Sequence, residues 1–347
     1  MPVKAHRRPV TVAFSGGKDS TAAILLLREQ GHEPRALTMR LGLDGEDERL
    51  ARIENLARVL DVPWGVCDVR RAFREKVLDS FINAYRAGLT PNPCVLCNRH
   101  VKFGLLLAAA EKSSPGGLFA SGHYADKICQ DNRWFLREPA DRRKSQIYFL
   151  AMIEPSVLEK VLFPVAGLTV DQVRARVAGL PLANMAESQD VCFLQEQSLV
   201  SYLSSRIPEC FIAGDILDVD GRIVGRHGGA AHFTTGQRRG TRFASDRKLY
   251  VVSRDLAANT VTLGDEKDLM SDSLDVGRPV FWRPLHPGET LSVKVRYQIH
   301  GHEAEIVELS ATRIRAVFKK PARAVTPGQL AVFYDGDIIV AAGEIKA

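Results

Sequence analysis

Residues Val10 to Ser20 read V-T-V-A-F-S-G-G-K-D-S. Val10, Val12 and Phe14 alternate with smaller residues, the pattern of a short buried strand, and the apolar run stops at Ser15-Gly16-Gly17. Glycine there lets the backbone bend tightly and approach a ligand closely. Asp19 and Ser20 open an amphipathic helix in which Ala23, Leu26 and Leu27 recur at helical spacing. The first-turn amides and the positive dipole end of such a helix face the loop, where anions bind. Strand, glycine turn and helix together predict an α/β unit with a phosphate-binding edge.

The same alternation continues outward. A helix running to Gln30, the strand A-L-T-M-R, a helix over Glu48–Leu60 and the strand W-G-V-C-D-V follow in order. This order argues for a parallel sheet wrapped by helices. Leu118–Ser121 supplies a further strand, ending at Gly122-His123-Tyr124. Ligands of such sheets sit beyond the carboxyl ends of the strands, so Gly16, Met39 and Gly122 are expected to converge on one crevice.

After about Ser204 the helical period fades. Gly214–Arg226 reads as a hairpin around Asp220-Gly221, and Leu249–Gly264 as another around Ala258-Asn259. From about Gly277 nearly every segment alternates: L-S-V-K-V-R-Y, A-E-I-V-E-L, R-I-R-A-V-F and L-A-V-F-Y-D-G-D-I-I-V-A, the last with a strong hairpin signal at Asp335-Gly336. Three domains are expected: a nucleotide-binding parallel-sheet domain over 1–204, a small β-rich central domain over 205–272 and a C-terminal β-barrel over 273–347.

Composition bounds the class. The 347 residues are 45% hydrophobic and 25% charged, as in globular proteins, with neither an apolar run of membrane length nor a signal-peptide core. A cytoplasmic protein without a membrane partner is expected. The basic residues Lys4 to Arg8 read as a solvated tail. The net charge of +6 favours a polyanionic partner. Basic clusters at Arg137–Lys144 (R-x-x-x-x-R-R-K) and Gly236–Arg242 (G-Q-R-R-G-T-R) sharpen that reading, although each alone reads equally well as a solvated face.

The six cysteines, Cys67, Cys94, Cys97, Cys129, Cys192 and Cys210, are too few and too scattered for a disulfide framework. Cys67 and Cys210 read as small buried hydrophobes. Thr90 to Asn98, T-P-N-P-C-V-L-C-N, sets two thiols three positions apart after an extended approach fixed by proline, just before a helix expected near Lys102. A helix N-terminus raises the thiolate fraction. Cys192 sits in E-S-Q-D-V-C-F-L, where Asp190 and Val191 lead into an apolar pair, a semi-buried setting. Structural zinc, a redox dithiol and a catalytic thiol compete for the C-x-x-C. A closed zinc site needs four ligands, and no second C-x-x-C is present.

The loop S-G-G-x-D-S differs from the Walker spacing because its glycine pair is contiguous. It resembles the pyrophosphatase-type PP-loop of enzymes that cleave ATP between the α and β phosphates and adenylate an oxygen, and Lys18 adds a cation beside the phosphates. A ligand-free glycine turn is the plain alternative. S-G-G-K-D-S, L-T-M, T-P-N-P-x-x-x-C-N, S-G-H-Y, K-S-Q-I-Y-F-L, S-Q-D-V-C-F, H-x-T-x-G-Q-R-R-G and T-P-G-Q-x-A-V-F-Y appear in one order along nearly the whole chain. In this the sequence resembles the bacterial tRNA-specific 2-thiouridylase family.

The resemblance implies a PP-loop (HUP-type) domain, a small central domain and a C-terminal barrel. It implies a sulfurtransferase that uses ATP to replace the C2 oxygen of the wobble uridine, in the anticodon stem-loop of certain tRNAs, by sulfur. Adenylation turns a poor leaving group into a good one. By motif, Ala13, Phe14, Ser15, Gly16, Gly17, Lys18, Asp19 and Ser20 hold the ATP phosphates, Met39 meets the adenine, Gly122 closes on the nucleotide and Asp19 helps to hold Mg2+. Cys192 carries a persulfide received from a donor protein. Cys97 attacks, releasing sulfide or forming a transient disulfide with Cys192. Asn92, Pro93 and Cys94 line the target base, while His123, Lys144, Ser145, Gln146, Arg296, Tyr297 and Gln329 touch tRNA. A satisfied core histidine is the alternative for His123.

The sequence departs from that family in three places. Many members carry aspartate where this chain has Cys94, the segment Met39 to Glu48 is short, and Lys18 replaces a small apolar residue. A third thiol allows a second way of holding sulfur: Cys94, Cys97 and Cys192 could ligate a [4Fe-4S] cluster whose open iron binds hydrosulfide, with inorganic sulfide as the source. Two other readings are weaker. An amidating ligase shares the loop but needs a glutaminase half or ammonia channel that is not visible, and a non-enzymatic RNA-binding protein rests only on charge and barrel.

Overall fold

A computed structural model of the chain describes residues 8–182, 191–195, 197–238, 248–297 and 300–346. They fall into two units: Met1–Val77 with Cys94–Gln189 and Asp337–Ile339, and Leu78–Pro93 with Asp190–Gly336 and Val340–Ala347.

In the first unit, β1 (Val10–Ala13), β2 (Pro34–Arg40), β3 (Trp64–Asp68) and β4 (Leu118–Ser121) form a sheet. A hairpin of β5 (Asp126–Gln130) and β6 (Arg133–Arg137) comes next, and β7 (Val161–Leu162) completes the sheet. The order is β3-β2-β1-β4-β7, every pairing parallel. The chain leaves β1 toward β2 on one side and later returns to β4 on the other, so a topological switch point lies beside β1. Both faces of β1 are covered: Val10 and Val12 are fully buried, and Thr11 on the opposite face is 2% exposed. α1 (Lys18–Glu29) and α2 (Glu46–Val59) contribute Ile24, Leu27, Ile53 and Leu56 to the same core. Each such side chain stabilises the fold by about 1.5–3 kcal/mol relative to exposure. α2 begins two residues before the expected Glu48, because Gly45 turns the chain at φ +64° and Glu46, Asp47 and Glu48 complement the helix dipole.

Two features of this unit differ from expectation. The hairpin β5/β6 went unread, although Asp131 and Asn132, at φ +47° and +63°, are the residue types a tight two-residue turn selects. The helix expected near Lys102 begins at Pro93: a first turn over Pro93–Leu96 runs into a widened π-helical stretch over Cys97–Leu106 and an α-helical end over Leu107–Ser113. Proline suits the first helical position, whose N–H has no partner in any helix. Cys94 and Cys97 therefore lie within the helix rather than ahead of it.

The second unit has two β elements. β8 (Gly214–Leu217), β9 (Ile223–His227), β10 (Tyr250–Asp255) and β11 (Thr260–Gly264) form a sheet in the order β10-β11-β8-β9 around Ile216, Phe233, Val251, Val261 and Leu263. Both expected hairpins are present, with Gly221 and Asn259 at positive φ in their turns. β12 (Met270–Phe281), β13 (Thr290–Lys294), β14 (His302–Leu309), β15 (Arg313–Arg323), β16 (Leu330–Asp335) and β17 (Ile338–Ile345) follow. They run β12-β15-β14-β13-β16-β17, and β12 pairs again with β17 to close the barrel. Val293, Ile306, Ile314, Ala316, Val332 and Val340 fill it, fully buried. Among the described residues no helix is long and apolar enough to cross a membrane.

Candidate active site

The phosphate loop lies at the carboxyl end of β1, next to the switch point. Gly16 adopts φ +77°, and Gly17 caps α1 with extended backbone. The Ser20 hydroxyl donates to the Gly17 carbonyl (3.0 Å) and accepts from the Ser15 amide (3.3 Å), and the Ser15 hydroxyl lies 3.2 Å from it. These bonds curl the loop so that the first-turn amides of α1, which have no i−4 carbonyl, point into it. Behind the loop, buried Thr38 donates to the Phe14 carbonyl (2.7 Å) and accepts from the Trp64 indole (2.9 Å), stitching three strand ends together. Met39 is half-buried, its carbonyl held by Arg49 at 3.1 Å.

The loop after β4 closes on this edge. A Cβ on Gly122 would stand 2.6 Å from both the Asp19 carbonyl carbon and the Ser20 amide nitrogen. Only glycine lets the two backbones come so near. The Gly122 turn thus packs against the start of α1, which begins two residues after Gly16. Asp19 pairs with the Lys18 ammonium (3.2 Å) and accepts from the Tyr124 hydroxyl (3.0 Å). The Tyr124 amide in turn donates to the Gln146 side chain (2.8 Å), and the Gln146 amide to the Tyr124 carbonyl (2.8 Å). A hydrogen-bonded line thus joins the K-S-Q segment to the carboxylate of the phosphate loop. In that segment Lys144 is exposed and Ser145 is buried.

His123 is held inside the first unit. Its Nε2 lies 3.3 Å from the Lys102 ammonium, and its Nδ1 bonds the Ser121 hydroxyl. An ammonium can only donate, so Nε2 carries the lone pair and Nδ1 the proton. Burial, with the Lys102 charge second, pushes its pKa well below 6.5 and leaves the ring neutral. The folded value lies below the unfolded one, so the stability it confers is complete above about pH 6.5 and is lost as pH falls from there toward the folded value. Thermal unfolding between pH 5 and 7.5 should show the melting temperature of wild type falling more steeply than that of His123→Gln; equal slopes would remove His123 as the cause.

Cys94 and Cys97 are both half-buried, one helical turn apart and so on one face. The next turn brings His100, whose pKa burial and the neighbouring Arg99 lower. Asn98, 3% exposed, donates to the Phe149 carbonyl (3.1 Å) and fixes the rotation of the helix. Cys192 differs from expectation: it is exposed, not semi-buried. Phe193 and Leu194 take the inward positions, Phe193 packing edge-on against Phe81 and beside Tyr202, and this turns the preceding residue outward. Cys67 also differs, being half-buried, whereas Cys210 is buried and its thiol pKa is raised by that burial.

A single half-buried carboxylate beside a phosphate loop fits Mg2+, which takes one or two protein carboxylates together with substrate phosphates, so Asp19 suits it. Among the described residues no group of three or more His, Cys, Asp or Glu could hold a metal ion. Of the three thiols expected to hold a cluster, Cys94 and Cys97 belong to the first unit and Cys192 to the second.

The remaining expected residues belong to the second unit. Pro93 is buried and Asn92 half-buried. The preceding Thr90 donates its amide to the Pro327 carbonyl (3.0 Å) and accepts on its own carbonyl from the Gln329 side chain (2.7 Å). Arg296 donates to the Thr235 carbonyl (2.7 Å) and the Thr326 hydroxyl (2.6 Å), and Tyr297 is half-buried beside it. T-P-N-P and T-P-G-Q, far apart in sequence, are thus bonded directly, and H-x-T-x-G-Q is tied to T-P-G-Q through Arg296. Lys4, Ser188 to Asp190 and Arg239 to Arg242 lie outside the described residues. Sequence reasoning missed the role of two residues: Tyr124 ends the S-G-H-Y motif without its bond to Asp19 being foreseeable, and Arg254 stands in no motif.

Comparison with known proteins matches residues 8–196 to the family described as tRNA methyl transferase HUP domain, 201–265 to tRNA methyl transferase PRC-barrel domain and 271–345 to aminomethyltransferase beta-barrel domain. The tRNA-specific 2-thiouridylase MnmA of Acidithiobacillus ferrooxidans is 39% identical over 96% of this chain and 97% of its own length. That of Pelobacter propionicus is 39% identical over 97% of both chains, and that of Desulfosudis oleivorans 37% identical over 100% of this chain and 97% of its own.

Proposed function

Because the chain belongs to the tRNA-specific 2-thiouridylase family, we propose that it uses ATP to replace the C2 oxygen of the wobble uridine of tRNA by sulfur, in the cytoplasm. The observation that carries this reading is the phosphate loop of Gly16–Ser20 with the Gly122 backbone packed onto its helix start, an arrangement that supports seating the pyrophosphate of ATP. The uridine C2 oxygen attacks the α-phosphorus, the bond to the bridging oxygen breaks and pyrophosphate departs, leaving AMP on the base. The α1 amides and Lys18 take up the growing charge on the pyrophosphate. Mg2+ at Asp19 supplies further neutralisation of that charge when bound.

The sulfur arrives as a persulfide on Cys192, whose exposure suits collection from a donor protein. The Cys97 thiolate attacks the Cys192 sulfur, forming a Cys97–Cys192 disulfide and expelling hydrosulfide. Hydrosulfide adds at C2, and AMP leaves with the original oxygen. Two equivalents of an external thiol, leaving as their own disulfide, supply the two electrons that reopen the Cys97–Cys192 bond. Asn92, Pro93 and Cys94 are assigned to the base and Lys144, Gln146, Arg296, Tyr297 and Gln329 to the tRNA, whereas enclosed His123 and buried Ser145 are left out of that set.

Anaerobically purified protein, given tRNA, ATP, Mg2+ and a persulfide-loaded donor, is expected to form 2-thiouridine by nucleoside mass spectrometry, and none without ATP. Iron analysis is expected to find no cluster, and Cys94→Ser to keep activity within about tenfold, the loss that a misplaced lining group and not a missing nucleophile gives. Brown protein that bleaches when Cys94 is replaced would hand the sulfur step to a cluster.

A further inference from the structure

Arg254 on β10 is a half-buried guanidinium whose four hydrogen bonds all go to neutral acceptors. Nε donates to the Gly88 carbonyl (3.3 Å), Nη2 to the Leu89 carbonyl (2.7 Å) and the Thr90 hydroxyl (3.1 Å), and Nη1 to the Phe233 carbonyl (2.7 Å). The guanidinium also lies over the Tyr85 ring, 5.4 Å from its centroid. All these residues belong to the second unit. Withdrawing a charge from water toward neutral acceptors alone is a poor source of stability, and a hydrocarbon would pack the space at less cost. The planar fork does what a hydrocarbon cannot: it fixes the directions of several backbone carbonyls at once.

We propose that Arg254 is a positioning residue for tRNA thiolation, holding residues 88–90 so that Asn92 and Pro93 present a fixed edge to the target base. This rests on the function proposed above. With Arg254 in place every polar group of Thr90 is taken: the amide by Pro327, the carbonyl by Gln329 and the hydroxyl by Arg254. Gly328, at φ +88°, lets the opposing loop come close, since a Cβ there would stand 2.8 Å from Leu89 Cβ and from the Thr90 nitrogen. Asn92 follows two residues after that anchor, too near for the chain to recover much freedom. Phe233 adds a third segment to the clamp, and Thr234 and Thr235, next to it, lead into the G-Q-R-R sequence.

The test uses Arg254→Met and Arg254→Lys in the full chain, with steady-state thiolation kinetics and hydrogen exchange of the 88–92 amides. A lysine ammonium cannot span the four acceptors, so a tenfold fall in kcat is expected for it and about a hundredfold fall for methionine, as for a reacting group displaced by about 1 Å. KM for tRNA and for ATP should stay within about twofold, since phosphate and backbone contacts are untouched. Amide exchange over 88–92 should accelerate in both variants. Unchanged kcat, a raised KM for tRNA with kcat intact, or a kcat loss without faster exchange would each overturn the proposal. Should Arg254→Met fail to fold, Arg254→Lys carries the same readouts. Wild-type protein that forms no thiouridine would remove the reaction and with it this role, while faster exchange would still report the clamp, so the two failures are distinguishable.

Discussion

Cys97→Ala is expected to lower thiouridine formation by about 10^3-fold or more, the scale on which a lost nucleophile acts, while ATP is still split to AMP and pyrophosphate in the presence of tRNA. In the proposed mechanism the two half-reactions use different groups. The phosphate loop is built from β1, α1 and the Gly122 turn, and the contacts described for it use no sulfur. Cys97 lies within a helix whose rotation is set by Asn98, so losing one half-buried side chain leaves its backbone in place. Pyrophosphate release and thiouridine should be followed in the same reaction. Persistence of thiouridine would mean that another group expels the sulfur, and loss of pyrophosphate release would place Cys97 in nucleotide activation instead.

Gly122→Ala should damage the other half. The added methyl would meet backbone atoms of Asp19 and Ser20 at 2.6–2.7 Å, well inside contact distance, and backbone cannot swing aside as a long side chain can. Overpacking of this kind costs about 1–3 kcal/mol of stability, and moving the loop by about 1 Å should reduce ATP-dependent turnover by about a hundredfold. Gly167→Ala is the control: nothing stands within 4 Å of its Cβ position, so its stability should change by no more than about 0.5 kcal/mol. Unfolding midpoints and ATP affinity of the two variants decide the matter. If Gly122→Ala binds ATP like wild type, the close approach is not what shapes the site.

Where the sequence was legible, one physical pattern dominated its neighbourhood. Full burial on both faces made β1 readable, β4 was found residue for residue, and Asp220-Gly221 and Asp335-Gly336 marked their turns because few residue types accept that backbone. The thiol-bearing helix starts ahead of its expected place because proline, which favours extended chain elsewhere, fits a helix start without loss. The outward turn of Cys192 was hidden because two apolar neighbours suggest burial for all three residues, and only the packing of Phe193 decides which faces in. Tyr124 and Arg254 leave no local trace, since their partners lie far away in sequence: Asp19 for one, Gly88 to Thr90 and Phe233 for the other.

The bonds among Thr90, Pro327, Gln329, Arg254, Arg296, Thr235 and Thr326 in the second unit have a consequence for how substrate preference can change. The effects of exchanges within one such bonded network do not simply add. On the proposed function, any tRNA preference carried by this network would pass to a relative only with the interlocked loops grafted together.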